Sequence, residues 1–167
     1  MLLYNLLCLA FATSSFLMGG LPGDTVLPSA WDPSFTIRYQ YSGSMDGSSV
    51  SLYFTHDSCT YEALYQQEGY RNIKFVLTED DRKKILKELK ELKAGSIKAG
   101  LQPIAAVYDG WTETLCLGAH CISGGAGIKL SDKDRELFTK VCTYLQGFAL
   151  EKGGPGKQSG PEDEMKH

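Results

Sequence analysis

The chain has 167 residues, with 17 Lys and Arg against 20 Asp and Glu, and a net charge of −3. That length fits one domain whose core is large enough not to depend on disulfides alone. The acidic balance speaks against a nucleic-acid or other polyanion partner, which usually calls for a basic face. The clearest basic cluster, Arg82-Lys83-Lys84, lies among Glu79, Asp80, Asp81, Glu88 and Glu91. Glu79/Lys83, Asp80/Lys84, Lys84/Glu88 and Lys87/Glu91 sit four apart, the pattern of a solvated helix face.

Residues 1–20 contain an uncharged apolar run, and no Lys or Arg precedes Arg38. The run reads as an export signal, with a small-x-small cleavage site at Ala10-Phe11-Ala12 and a poorer one at Met18-Gly19-Gly20. The alternative is an uncleaved membrane anchor over residues 2–18. A spanning helix wants about 20 apolar residues, and Asn5, Thr13, Ser14 and Ser15 interrupt this one. Residues 21–32 read as a Gly/Pro/Ser-rich linker, and the domain is expected over 33–150.

Phe35, Ile37, Tyr39 and Tyr41 alternate with polar residues, the period of a half-buried strand. Asp46-Gly47 is a hairpin signal, and Val50, Leu52 and Phe54 resume the alternation. A two-residue turn there would set Tyr41 opposite Leu52 and Tyr39 opposite Phe54. Cys59, Tyr61, Ala63 and Tyr65 predict a third strand, and Ile73, Phe75 and Leu77 a fourth. Thr78 with Asp81 three residues on resembles a capping box. It opens a helix with Ile85, Leu86, Leu89 and Leu92 on one stripe and Gly95 as its stop. Residues 104–108 predict a strand before the Asp109-Gly110 turn. Trp111, Leu115 and Leu117 then share one face as buried anchors. Glu113 falls on that face and breaks its pattern, which places it near the sheet's edge. Gly118-Ala119 reads as a tight turn into a strand near Cys121 and Ile122, with a further short strand at 128–130. Ser131 and Asp134 cap a second helix carrying Leu137, Phe138, Val141, Leu145 and Phe148. Residues 151–167 read as a disordered tail.

The sum is an α+β domain: an antiparallel sheet of about six to seven strands with two helices packed on one face. The other face, with Arg38, Gln40, Tyr53, Glu62, Lys74, Thr112 and Thr114, is expected to be solvated.

Cleavage of the signal leaves Cys59, Cys116, Cys121 and Cys142, which allow three pairings. The Gly118-Ala119 turn sets Cys116 opposite Cys121 on the outer face. Cys59 and Cys142 fall on inner faces. The faces therefore predict a Cys116–Cys121 bridge outside and a Cys59–Cys142 bridge inside; the alternative is free thiols in an apolar core. The sequence holds no convergent set of acid, base and nucleophile, no metal-ligand spacing and no phosphate loop, so neither catalysis nor a cofactor is expected. His56-Asp57 reads as a polar turn, and the Gly124-Gly125-Ala126-Gly127 stretch as a bulge or loop.

The run 49–61, the helix opening Leu77-Thr78-Glu79-Asp80-Asp81 and the segment Val107-Tyr108-Asp109-Gly110-Trp111 resemble uncharacterised bacterial exported or lipoprotein domains. The likeness covers about residues 35–150. It implies a bacterial cell-envelope setting and no assigned activity, and it carries over no functional residue. A lipobox is missing, because Leu7 stands before Cys8 where a small residue is needed. The reading of the whole is an exported protein-binding or inhibitor-like module whose partner is another envelope protein. Membrane contact would come only through an uncleaved N-terminal segment. The alternative function is binding of a small apolar ligand between sheet and helices.

Overall fold

The computed structural model describes residues 26–43, 46–100 and 110–154, and the backbone of 157–159. The expected signal segment, the strand at 104–108 and the end of the tail lie outside the described residues. The strands are β1 (Ile37–Ser42), β2 (Ser49–Phe54), β3 (Ser58–Tyr65), β4 (Gly69–Val76), β5 (Thr112–Leu117), β6 (His120–Gly125) and β7 (Lys157–Ser159). The helices are α1 (Glu79–Glu91) and α2 (Asp132–Gly153). The strands form one antiparallel sheet in the order β6-β5-β1-β2-β3-β4-β7. The meander β1–β4 is sequential, and the β5–β6 hairpin returns to pair with β1.

Period-two patterning becomes one dry face. Ile37, Tyr39, Leu52, Phe54, Tyr61, Ile73, Leu115 and Ile122 are buried, and their neighbours along each strand point outward. Ile85, Leu86 and Leu89 of α1 and Phe138, Val141, Leu145 and Phe148 of α2 join the same core. The α+β two-layer reading therefore holds.

Capping fixes where both helices begin. The Thr78 hydroxyl accepts from the Asp81 amide, and the Asp81 carboxylate accepts from the Thr78 amide at 3.0 Å, so each satisfies a donor the helix would leave free. Ser131 caps α2 on the Asp134 amide in the same way. Asp81 also meets Lys152 at 3.0 Å, which ties the start of α1 to the end of α2. Burial pulls the Asp81 carboxyl upward, but the Thr78 bonds and Lys152 outweigh it and hold it below its ordinary range. Of the expected pairs along α1, Glu79–Lys83 (2.7 Å) and Lys87–Glu91 (3.7 Å) form. Lys84 instead lies over the Phe148 ring.

Several expectations need correction. β1 and β2 pair two residues out of the expected register, with Tyr41 opposite Val50 and Tyr39 opposite Leu52. The cause is the turn: the Gly43 amide donates to the Ser48 carbonyl, and Asp46 accepts from the Ser48 amide, which leaves four residues in the loop rather than two. A shift of two preserves the faces. Trp111 is 38% exposed rather than buried, with its ring against Tyr41. Phe75 is only partly buried.

The stretch read as linker contributes Leu27 and Trp31 to the core. There the Trp31 indole N–H donates to the Phe35 carbonyl at 2.8 Å and its ring meets Phe35 edge-on. Lys93, not Gly95, takes the left-handed conformation after α1. Residues 128–130 hold only an isolated bridge, and α2 runs on to Gly153, into the stretch read as tail. No helix among the described residues is long and apolar enough to cross a membrane.

Candidate functional site

The four cysteines among the described residues fall into two classes. Cys116 and Cys121 pair directly across β5 and β6 and are joined as a disulfide on the outer face. Gly118 supplies the positive φ of +59° that the two-residue turn requires. Cys59 and Cys142 are free and buried, which corrects the expected inner bridge. Cys142 lies with Glu113 and Tyr39 over β5 and β1, whereas Cys59 sits on β3. Two strand spacings, about 10 Å, separate β1 from β3, and a disulfide tolerates only about 7 Å between alpha carbons. Burial pushes the Cys59 thiol up to about 12, and burial with the Glu113 charge raises Cys142 further.

Both thiols should therefore resist alkylation in the folded protein and react once it unfolds without reductant. Residues 116 and 121 should appear as one linked peptide. A linked 59–142 peptide would reinstate the inner bridge. Reducing Cys116–Cys121 should cost at most about 2 kcal/mol, because the closed loop is short.

The bridge is an outer-face feature. The groups that converge lie on the inner face, at the end of the sheet where the β1–β2 and β3–β4 loops meet. Glu113, Tyr41, Val50 and Ala63 make one transverse row across β5, β1, β2 and β3. Beyond that row opens a cleft of about 620 Å³. Tyr39 and Glu113 form part of its wall, Asp46 and Ser48 one rim, Tyr65 to Glu68 the other, and Gln146 of α2 the remaining side. Hydrogen bonds brace the first rim. The Ser48 amide and hydroxyl both donate to Asp46, and these bonds hold the Asp46 carboxyl below its ordinary range. Gly43 leaves room for these groups: a methyl group on it would lie 2.5 Å from the Asp46 carboxylate and 3.0 Å from the Tyr41 hydroxyl, so a larger residue would displace those side chains. At the second rim the Tyr61 and Tyr65 hydroxyls bond at 3.1 Å.

Glu113 is the unusual group. It is half-buried, and no Lys or Arg among the described residues comes within ion-pair distance of it. Burial raises its carboxyl, while the Tyr39 hydroxyl and the more distant Arg135 of α2 pull the other way. In turn, burial and the Glu113 charge push Tyr39 far up.

The sign of the stability effect follows. A carboxyl raised in the folded state binds its proton more tightly there than in the unfolded chain. Its contribution favours folding below its ordinary value of 4.5 and is lost as pH rises through the folded value. Glu113→Gln should thus flatten the decline in melting temperature above that pH and raise the melting temperature at neutral pH. Thermal unfolding across pH 4 to 8 of both proteins checks this, and a lower neutral-pH melting temperature for the variant would show that the carboxylate is a net stabiliser.

A second groove, of about 650 Å³, runs between residues 29–31 and α1 and is rich in cations. Those cations are already engaged. Arg82 donates to the His56 and Leu77 carbonyls, Lys90 to the Ser29 carbonyl, and Lys83 and Lys87 pair with Glu79 and Glu91. His56 bonds Asp57 at 2.6 Å in the turn between β2 and β3. His120 meets the Ile97 carbonyl.

Sequence reasoning marked Glu113 as out of pattern but missed the cleft. On the outer face the exposed apolar side chains Tyr53, Leu64 and Val76 stand on three different strands and in three different transverse rows. Scattered singly in this way they form no patch. No family model matches the chain, and no curated protein matches it.

Proposed function

We propose that this protein is an exported, non-enzymatic binding module of a bacterial cell envelope, and that it holds another protein at the cleft at the end of its sheet. The observation that carries the reading is the cleft itself: open, preformed, and set with hydroxyl, amide and carboxylate groups from β1, β3, β5, two loops and α2. Its volume falls in the range of about 300–1,000 Å³ typical of pockets that hold a small molecule, so a protein partner would enter it with a side chain or a short segment. The Cys116–Cys121 bridge supports an oxidising compartment, as does the apolar segment at 1–20. An apolar ligand between sheet and helices is the weaker reading. Ile37, Leu52, Phe54, Leu115 and Leu145 fill that space without measurable exposure, and the open volume lies against polar groups.

Two measurements test the proposal in the cells that make the protein. Amino-terminal sequencing should find a mature chain beginning near Thr13; a cytoplasmic form that keeps Met1 would remove the export claim. A photo-crosslinking residue at Gln67, on the cleft rim, should trap one discrete envelope protein, and the same residue at Lys74 on the outer face should not. Crosslinking from Lys74 alone, or from neither position, would overturn the placement of the partner.

A further inference from the structure

The charges around the cleft define what fits it. Asp46, Glu68 and Glu113 lie on its wall, and among the described residues that wall includes no Lys or Arg. Among the described residues, two of the three carboxylates have no ion-pair partner within 4 Å, and the third, Glu68, meets Arg71 only at 4.0 Å. Tyr39, Tyr41 and Tyr65 share the same cavity. Glu113 is half-buried with only the Tyr39 hydroxyl and the distant Arg135 to offset its charge, a partly compensated cost that a cationic ligand would relieve. Tyrosine rings add attraction for ammonium groups through their quadrupoles. A metal ion is a poor fit, because among the described residues no three His, Cys, Asp or Glu side chains stand close enough to share one.

We propose that the cleft binds an organic cation, with an ammonium group set against Glu113 and held among Tyr39, Tyr41 and Tyr65. Asp46 and Glu68 at the rims draw the charge in, and the Gln66, Gln67 and Gln146 amides supply hydrogen bonds to the rest of the ligand. The inference rests on reading the cleft as the binding site and adds the chemistry. The ammonium group belongs either to a lysine side chain of the partner or to a free amine.

The test is an amide NMR titration of the mature protein at low salt. The probes are Nα-acetyl-lysine methylamide, its uncharged counterpart Nα-acetyl-norleucine methylamide, and cadaverine. The lysine derivative should shift the amides of Tyr41, Gln66, Gln67 and Glu113, and the norleucine derivative should not. Raising the salt to physiological strength should weaken binding several-fold, since the rim charges are exposed. Glu113→Gln should lower affinity about tenfold or more, equivalent to about 1.4 kcal/mol, without lowering the melting temperature. Glu68→Gln, at an exposed site that cannot disturb the core, should weaken binding by less. Cadaverine binding as tightly as the lysine derivative points to a free amine; clear preference for the lysine derivative points to a peptide.

Equal binding of the norleucine derivative, unchanged affinity of Glu113→Gln, or no shifts at all would overturn the inference. Failure here with intact Gln67 crosslinking removes the ammonium chemistry alone. Binding here without crosslinking removes the protein partner alone.

Discussion

Phe54→Ala should destabilise the protein by about 3–5 kcal/mol, the range for emptying a buried aromatic site. Phe54 has no measurable exposure and sits in β2 between Ile37 of β1 and Cys59 of β3. Its ring lies 6.2 Å from that of Phe148, so it joins the central strands to α2. Lost transfer energy and a cavity that the flanking strands cannot close both contribute. A domain of this kind has only about 5–15 kcal/mol in all, so the variant should lie near the edge of folding at growth temperature. Urea unfolding measures the effect. A loss under about 1 kcal/mol would mean that the site collapses or is not packed as described.

Trp31→Ala should cost a similar amount, about 3–5 kcal/mol, although Trp31 precedes the first strand. Only 7% of the side chain is exposed. The substitution removes the edge-on contact with Phe35 and leaves the Phe35 carbonyl without its indole donor. Trp31→Phe separates the two contributions. It keeps most of the apolar area and loses the hydrogen bond, for about 1–3 kcal/mol. A chain starting at Pro33 should be as unstable as Trp31→Ala. If trimming to Pro33 leaves the urea midpoint unchanged, residues 26–32 are an appendage and not part of the core.

These two positions show where sequence patterning is informative and where it stops. Phe54 belongs to a period-two run, and periodicity assigns such a residue to the buried face whatever its partners are. Trp31 belongs to no run. Its burial depends on the segment folding back over Phe35 and α1, for which Gly, Pro and Ser carry no signal. Trp111 is the converse: an aromatic in phase with Leu115 and Leu117, yet exposed because it precedes β5 at the sheet's open end. The β1–β2 register was legible in parity but not in value, since Asp46 closes a longer loop by accepting from Ser48.

The cleft is harder still to read from sequence. Its groups come from β1, β2, β3, β5, α2 and two loops, and Glu113 joins the others only because β5 pairs with β1. That pairing is non-local and has no local signature. Glu113 was the visible trace, as an acid on an apolar face. It was expected near the sheet's edge, and it lies there, at the start of β5, the strand next to the edge strand β6.

The strand order also sets a sequence of events in time. β1 to β4 pair with their chain neighbours across short turns, and such hairpins form within about 1–10 μs. The union of β1 with β5 brings Tyr39 to Leu115, and so must close the whole segment from Ser42 to Thr112 before any of its contacts is gained. The bridge at Cys116 and Cys121 changes what arrives at that step. It holds the β5–β6 hairpin in register, so the late event is the docking of one preformed ribbon onto an exposed β1 edge. Refolding should therefore slow when the bridge is reduced even where equilibrium stability changes little. Until the ribbon docks, the edge of β1 stands open, and another chain's strand could occupy it instead.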